Sequence, residues 1–427
     1  MSVRSDGCAE YRGLSRRGFL GGALAGAGSL AIGPGWFPRL ALAPPGGSGG
    51  HDVLVYLFLR GGLDGLSFVP PYADDGYYAA RPLLAVPPPG AVGGALDLDG
   101  FFGLLPAAAP LQPLFAEGRL AILNAVSIQD YIDSHFEAFK TLEFGASFMP
   151  PGSLTDGWLA RHLQLSTPPV AGPLRAAALT DTVPLTLQGA PLALPVADPA
   201  GFTFPGDPAT AAARKAALTS MYAGVPAPLG PSAQDTLGAI ELLSAVDFAA
   251  PAQHGAVYPD TDLGHALKAC ATIVRERLPI EVLMIDVPGY DLHSAQGPLD
   301  GNLATLADDL ARSLAAFDAD LGMLDLQRVT LLAHSEFGRR VAENASAGTD
   351  HGRGGVLLAL GGHVLGGKVH GKWPGTSPEQ LEKGNLAVTT DVRTVLAEVL
   401  VKRCGALAEN LELIFPGHLQ PFPGLIG

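Results

Sequence analysis

The sequence is poor in cysteine, in charged side chains and in the common nucleotide-binding motifs. Three cysteines in 427 residues exclude a disulfide framework and a four-cysteine structural zinc site. No GxGxxG loop, P-loop or HExxH motif occurs, which argues against dinucleotide-binding enzymes, NTPases and the common metalloproteases. Charged residues make up 16% and hydrophobic residues 48% of the chain, a composition typical of a globular protein with a large core.

The N-terminus has the order of an export signal. "SRRGFL", from Ser15 to Leu20, precedes a Gly/Ala-rich run that is too short and too rich in glycine for a stable membrane span. The paired arginines are similar to a twin-arginine signal, and "ALA" at residues 41–43 suits a signal peptidase. We expect residues 1–43 to engage the twin-arginine translocase and carry the protein to the periplasm or outside the cell. The signal is either cleaved or kept as a tether, and both alternatives stay open. The segment can also be the ordinary basic N-terminus of a cytoplasmic protein.

Net charge limits the partners. The chain carries a formal charge of −14, and residues 1–43 hold five arginines and two acidic residues, so the remainder carries −17. A surface this acidic argues against nucleic acid and anionic membranes as partners. A small anionic substrate would have to be attracted by local cations.

Strand-like and helix-like segments alternate after a flexible linker, "PPGGSGG", at residues 44–50. Continuous apolar runs typical of strands buried on both faces are "DVLVYLFLRGG", "RLAILNAVS", "IEVLMIDV", "RVTLLAH" and "GVLLALGG". The alternation predicts one α/β domain over residues 51–427, with a mostly parallel sheet, helices on both faces, and loop and helical elaborations. Residues 151–279 carry no recognisable chemistry and form a possible cap or insert. Cys270 and Cys404 are either a pair or two buried thiols, and Cys8 lies within the export signal and would leave with it on cleavage.

Polar side chains follow the predicted strands, at the edge of the sheet where sites form in parallel α/β folds. These side chains are Asp64, Asp133, Ser134, His135, Asp291, His293, His334, Ser335, Glu336, Asp350 and His351. The last two lie in "GTDHGRGG", whose glycines allow close approach of the backbone. Mixed carboxylate and imidazole ligands suit one or two divalent ions such as zinc or manganese.

The same segments carry a family resemblance. "LFLRGGLDGLS", "DSHFEAF", "GYDLHSAQ", "AHSEFGRR", "GTDHGRGG" and "TTDVRTVLAEVL" occur in this order from about residue 52 to residue 404. The chain resembles the twin-arginine-exported bacterial family called domain of unknown function 1501, which looks like a distant branch of the alkaline phosphatase and sulfatase superfamily. The resemblance implies an alkaline-phosphatase-like fold, with Ser134 as nucleophile and Asp64, Asp291, His293, Glu336 and His351 as metal ligands. Where the superfamily has an Asp-His pair this chain has Ser335-Glu336, which puts a full two-metal site in question.

The resulting expectation is an exported, metal-dependent hydrolase of phosphate or sulfate esters. Ser134 would attack after a metal lowers the pKa of its hydroxyl, and metal ions with arginines would stabilise the transferring group. The predicted catalytic set is Ser134, His135, Arg339 and Arg353. The predicted metal set is Asp64, Asp291, His293, Glu336, Asp350 and His351.

Structural explanations compete with each of these roles. Asp64 can stabilise a turn, Ser134 can cap a helix and His135 can be a packed or outer imidazole. Glu336 can bridge to Arg339 or Arg340, and charged loop residues such as Arg353 are usually only solvated.

Two rival functions also stay open. A serine hydrolase would use Ser335, but its elbow has Ala333 and Phe337 where glycines are wanted. A non-catalytic exported protein of the same fold would bind a ligand or partner, or assist the assembly of another exported protein.

Overall fold

A computed structural model describes residues 51–132, 134–147, 154–417 and 421–427. The predicted export signal, the linker at residues 44–50 and Asp133 lie outside the described residues. The described strands are β1 (Val53–Leu59), β2 (Leu96–Asp97), β3 (Gly103–Leu104), β4 (Leu120–Ser127), β5 (Ala176–Ala178), β6 (Ala193–Pro195), β7 (Val282–Val287), β8 (Val329–His334), β9 (Gly355–Gly361), β10 (Val369–His370) and β11 (Thr390–Asp391).

The described helices follow the predicted alternation with these strands. They are α1 (Gly65–Phe68), α2 (Asp75–Ala80), α3 (Gln112–Ala116), α4 (His135–Phe144), α5 (Trp158–Leu165), α6 (Pro208–Tyr222), α7 (Leu229–Ser244), α8 (Asp262–Arg275), α9 (Asn302–Leu326), α10 (Val392–Arg403) and α11 (Leu411–Ile414). Short 3-10 turns occupy Pro106–Leu111, Leu185–Leu187, Pro378–Gln380 and Ala408–Asn410. Among the described residues, no helix combines the length and the apolar character that crossing a membrane requires.

One nine-stranded sheet organises the molecule, in the order β10-β4-β9-β8-β1-β7-β5-β6, with β11 also paired to β4. Its neighbours are parallel except at β9, which is antiparallel to both β4 and β8. The prediction of an α/β fold with a mostly parallel sheet is therefore confirmed. Because β9 runs in the opposite direction, its first residue, Gly355, pairs with Val126 near the end of β4. The loop before β9 thus reaches the edge at which the parallel strands finish.

Helices cover both faces of the sheet, as the apolar strands predict. All seven side chains of β1 are buried. Val55 and Leu57 face one core, which includes side chains of α8 and α9. Tyr56 and Phe58 face the other core, which includes side chains of α5 and α10. Burying each such large apolar side chain contributes about 1.5–3 kcal/mol, so the central strand is anchored from both sides.

Helix boundaries follow ordinary capping chemistry. Helix α8 begins after Thr261, whose hydroxyl accepts a hydrogen bond from the backbone N–H of Gly264. Helix α10 begins after Asp391, whose carboxylate accepts from the backbone N–H of Arg393. Helix α4 ends at Gly145, whose φ of 62° is left-handed, a conformation that favours glycine.

The described part of the predicted cap region, residues 154–279, has two roles in the fold. Strands β5 and β6 extend the main sheet at one edge, and α5 and α8 contribute to the two cores. Helices α6 and α7 contact each other, and α6 has no buried residue. Cys270, within α8, and Cys404 are both free thiols, so they do not pair.

Candidate metal centre

Three separate segments deliver ligand-type side chains to one edge of the sheet. His135 is the first residue of α4, shortly after β4 ends. Asp291 and His293 follow β7, and His351 lies in the loop before β9. Carboxyl ends of parallel strands meet at one edge, and the reversed direction of β9 brings the glycine loop there as well. The folded chain therefore joins residues more than 200 positions apart.

A single carboxylate oxygen, Oδ1 of Asp291, lies at the centre of this cluster. It is 3.4 Å from Nε2 of His135, 3.1 Å from Nε2 of His293 and 3.5 Å from Nε2 of His351. Ligand atoms of His135, Asp291 and His351 all lie within 4.8 Å of one another. The Nε2 atoms of His293 and His351 are 2.9 Å apart. Three imidazoles and a carboxylate that converge on one point have the composition of a transition-metal ligand set.

Two further carboxylates hold the far side of the imidazoles. Oε1 of Glu336 is 2.6 Å from Nδ1 of His135, and the backbone N–H of Gly61 donates to the same Glu336 oxygen at 3.0 Å. Oδ1 of Asp350 is 3.1 Å from Nδ1 of His293. A carboxylate on Nδ1 fixes the ring and leaves Nε2 to face the cluster, as in carboxylate–histidine–metal arrangements. Glu336 and Asp350, both predicted as ligands, thus lie behind the cluster.

The electrostatics of the cluster follow from these contacts. Burial alone would raise the pKa of Asp291, but hydrogen bonds from the three imidazoles and the charge of Arg339 hold it well below its usual range. Burial would lower the pKa of His135, but its bonds to Asp291 and Glu336 raise it to about 9. His135 therefore holds its proton tightly, and a metal ion would have to displace that proton to reach the nitrogen.

Arg339, predicted to be catalytic, is built into the walls of this site. Its side chain is 0% exposed, and it donates to Oδ1 of Asp291 at 2.7 Å. It also donates to the backbone carbonyls of Gly62 at 2.8 Å and Thr349 at 2.9 Å. One guanidinium thus fastens the loop after β1, the central carboxylate and the glycine loop to each other.

The structure places Asp64 in a different arrangement. Its two carboxylate oxygens accept from the buried guanidinium of Arg81 at 2.6 Å and 3.0 Å, and Gln296 donates to the first of them at 2.6 Å. Burial alone would raise the pKa of Asp64, but the charge and hydrogen bonds of Arg81 lower it. The structure does not bring this carboxylate to the cluster.

Two serines near the sheet edge have different surroundings. Ser134 occupies the N-cap position of α4, directly before His135, but its hydroxyl does not cap the helix. Ser335 is bound at both sides: its hydroxyl donates to the carbonyl of Leu59 and accepts from the N–H of Leu63 at 2.7 Å. The Ser335 hydroxyl is therefore engaged in joining two backbone segments.

A cavity of about 290 Å³ opens beside the cluster. Its lining includes His351 of the cluster together with Tyr131, Arg340, Arg353, Lys383 and Asn385. Arg353 and Lys383 lie over the ring of Tyr131, at 5.1 Å and 4.5 Å from its centroid. Sequence reasoning missed Tyr131, Lys383 and Asn385, because they lie in irregular segments with no strand end or motif to mark them.

Residues 136–402, more than half of the chain, match the family model described as "Protein of unknown function (DUF1501)". The chain belongs to the DUF1501 family. The matched segment of this DUF1501 protein contains Asp291, His293 and His351 and begins one residue after His135. None of the curated proteins matches the chain.

Two solved structures are distantly similar to this DUF1501 chain. The crystal structure of Ps i-CgsB has 9% sequence identity and a TM-score of 0.36, over 85% of this chain and 74% of that one. The structure of PH0037 protein from Pyrococcus horikoshii has 12% identity and a TM-score of 0.27, over 73% of this chain and 86% of that one.

Proposed function

We propose that this DUF1501 protein is an exported, metal-dependent hydrolase of phosphate or sulfate esters, with an alkaline-phosphatase-like fold and export by the twin-arginine route. The observation that carries the proposal is the convergence of three Nε2 atoms on Oδ1 of Asp291. His135, Asp291 and His351, whose ligand atoms all lie within 4.8 Å of one another, would hold one divalent ion, zinc or manganese, with a position left open beside His293. Supporting carboxylates on the far nitrogens of two imidazoles fit such a site better than a chance cluster of exposed groups.

Chemistry at this edge needs a nucleophile and charge compensation. A divalent ion supplies a Lewis acid that stabilises negative charge on the transferring group. Ser134 is the proposed nucleophile, because it directly precedes His135 and its hydroxyl does not cap α4. Arg353 lines the adjacent cavity and supplies positive charge for an anionic ester. Arg339 acts by holding Asp291, rather than by binding substrate.

The ligand set proposed from the structure is smaller than the one proposed from the sequence. Asp64 is paired with Arg81, and Glu336 and Asp350 support imidazoles from behind. Asp291, His293 and His351 remain of the six predicted ligands, and His135, predicted to be catalytic, joins them. This smaller set suits one ion rather than two. We therefore propose a single-ion site with Glu336 and Asp350 as positioning residues.

Metal analysis of the purified protein tests the ion. The wild-type protein should retain about one equivalent of zinc or manganese, and His351→Ala should lose it. His265→Ala is the matched control, because His265 lies on α8 with a side chain that is 66% exposed. Equal metal content in wild type and His351→Ala would overturn the proposed site.

Turnover tests the reaction. With 4-nitrophenyl phosphate and 4-nitrophenyl sulfate as substrates, Ser134→Ala should lower kcat at least about a thousandfold and leave the metal content unchanged. Full turnover by Ser134→Ala would remove Ser134 as nucleophile. Hydrolysis that survives metal removal would overturn the metal-dependent mechanism.

A second function, binding of a ligand or partner without turnover, is favoured if four protein side chains hold the ion. Catalytic zinc sites keep one position open, whereas four protein ligands close a site. If His293 completes the set, the ion is structural and the protein binds a ligand or partner without turnover. The His293 side chain is 28% exposed, against 1% for His135, so it lies at the solvent edge and can be tested alone. A metal-loaded His293→Ala variant that hydrolyses esters at the wild-type rate would favour the catalytic alternative; loss of the ion together with the fold would favour the structural one.

A further inference from the structure

The cavity beside the cluster is lined by three cationic side chains in an otherwise acidic protein. Arg340, Arg353 and Lys383 contribute to its wall, whereas the whole chain has a formal charge of −14. Its volume of about 290 Å³ is at the lower end of the range for small-molecule sites. Arg353 is paired with Glu382, whereas Arg340 donates to a backbone carbonyl and Lys383 lies over an aromatic ring. The positive charges of Arg340 and Lys383 repel each other, and a bound anion between them removes this cost. The cavity therefore favours a small anionic ligand.

The cations are fixed by a local framework around Tyr131. Arg353 and Lys383 lie against its ring, and Asn385 donates from Nδ2 to its hydroxyl at 3.2 Å. Arg340 donates to the carbonyl of Lys383 at 2.9 Å. Aromatic faces attract cations, so the ring holds positive groups together that would otherwise separate.

The backbone at this point is also constrained. Lys383 has a φ of 54°, a left-handed conformation that is uncommon for a lysine. The next residue, Gly384, has a φ of 85°, and a Cβ there would lie 2.8 Å from a terminal nitrogen of Arg340. Such strain persists where the surroundings require it, often at binding sites. The turn thus brings Lys383 against Tyr131 and lets Arg340 pack on the backbone.

The cavity and the cluster share one residue. His351 lines the cavity, whereas His135, Asp291 and His293 do not. An anion between Lys383 and Arg340 would therefore lie beside the point on which the imidazoles converge, and not at it. We propose that the cavity is a second anion subsite, independent of the metal, for an oxyanion other than the group that reacts. Resting on the proposed function, this defines the substrate class as small esters that carry a further phosphate, sulfate or similar anionic group.

Calorimetric titration of the chelator-treated, full-length protein with inorganic phosphate tests this subsite without turnover. Phosphate should bind the metal-free wild type, and Lys383→Met should weaken binding about ten- to a hundredfold, the range for losing one charge-assisted hydrogen bond. Lys383→Arg keeps the charge and should stay within about threefold of wild type. Lys368→Met is the matched control, because Lys368 is exposed and does not line the cavity. Inorganic sulfate in a parallel titration compares a second tetrahedral oxyanion.

The outcomes separate this inference from the proposed function. If metal-free protein binds neither anion at millimolar concentration, or if Lys383→Met and the double variant with Arg340→Met bind phosphate as wild type does, the subsite is refuted. Phosphate binding that appears only after metal loading and ignores Lys383→Met would refute the subsite and leave the metal site standing. Metal-independent binding in a protein that never retains an ion would support the subsite and refute the metal-dependent function.

Discussion

The buried pair of Asp64 and Arg81 yields the sharpest prediction, because it separates a structural carboxylate from a metal ligand. The side chain of Arg81 is 0% exposed and that of Asp64 is 2% exposed. Arg81 uses all five of its N–H donors: two go to Asp64, and one each to Ser67 and to the carbonyls of Val341 and Arg340. The guanidinium therefore joins the loop after β1 to the segment after β8.

Removing either charge leaves the other buried without compensation. Breaking a buried ion pair from one side costs about 3–5 kcal/mol of unfolding free energy. We expect both Asp64→Asn and Arg81→Met to lose stability of this order. The double variant should lose less than the sum of the two, since no uncompensated charge remains. Equilibrium unfolding in urea, on chelator-treated protein, measures these differences.

The pH dependence has a defined sign. Because the folded pKa of Asp64 is lowered, its contribution is fully present above about pH 4 and is lost as the pH falls through the folded pKa. The stability difference between wild type and Asp64→Asn should accordingly shrink in acid. Metal content decides the role: Asp64→Asn should still bind the ion in folded protein. An Asp64→Asn variant with wild-type stability and no bound metal would refute this reasoning and restore Asp64 as a ligand.

Three further predictions concern the support of the site and the thiols. Glu336→Gln should weaken zinc affinity about 10- to 100-fold in a competitive chelator titration, because it alters the support of His135. Asp350→Asn should have a smaller effect, because Asp350 is exposed. Equal zinc affinities of wild type and Glu336→Gln would contradict a positioning role for Glu336. Gly348→Ala should cost about 1–3 kcal/mol in urea unfolding and lower the metal content, since its Cβ would overlap the backbone carbonyl of His293, and an unchanged variant would contradict the observed packing. Burial raises the pKa of both thiols, that of Cys404 to about 12, so Cys270 and Cys404 should react slowly with iodoacetamide. Dithiothreitol should leave the Tm of the protein unchanged. A Tm lowered by dithiothreitol would indicate a disulfide.

Much of the fold was predictable because its signals are local. The apolar runs of β1, β4, β7, β8 and β9 mark strands buried on both faces, whatever their neighbours. The end of α4 at Gly145 follows from the left-handed conformation available to glycine. The direction of β9 was not predictable, since an apolar run looks the same whether its strand is parallel or antiparallel.

The candidate site was predictable only in part, for the same reason. Asp291 and His293 lie in the loop after β7 and His351 lies in the loop before β9, so topology brings them to one edge. The partner of Asp64 was hidden, because Arg81 lies 17 positions along the chain at the end of α2, with no pattern that links the two. The two arginines of "EFGRR" look alike in sequence, yet Arg339 is buried among carbonyl groups and Arg340 lines a cavity. Lys383 and Tyr131 meet only in the folded chain.

The reversed strand β9 has a consequence for how the site can vary. Strands β8 and β9 are antiparallel neighbours, so the 335–354 segment between them leaves the sheet and returns to it at the same edge. Both of its ends are held by strand pairing, and changes in its length or sequence need not alter the order of the sheet. Substitutions in this excursion can therefore change the chemistry of the site while the framework that presents it stays the same.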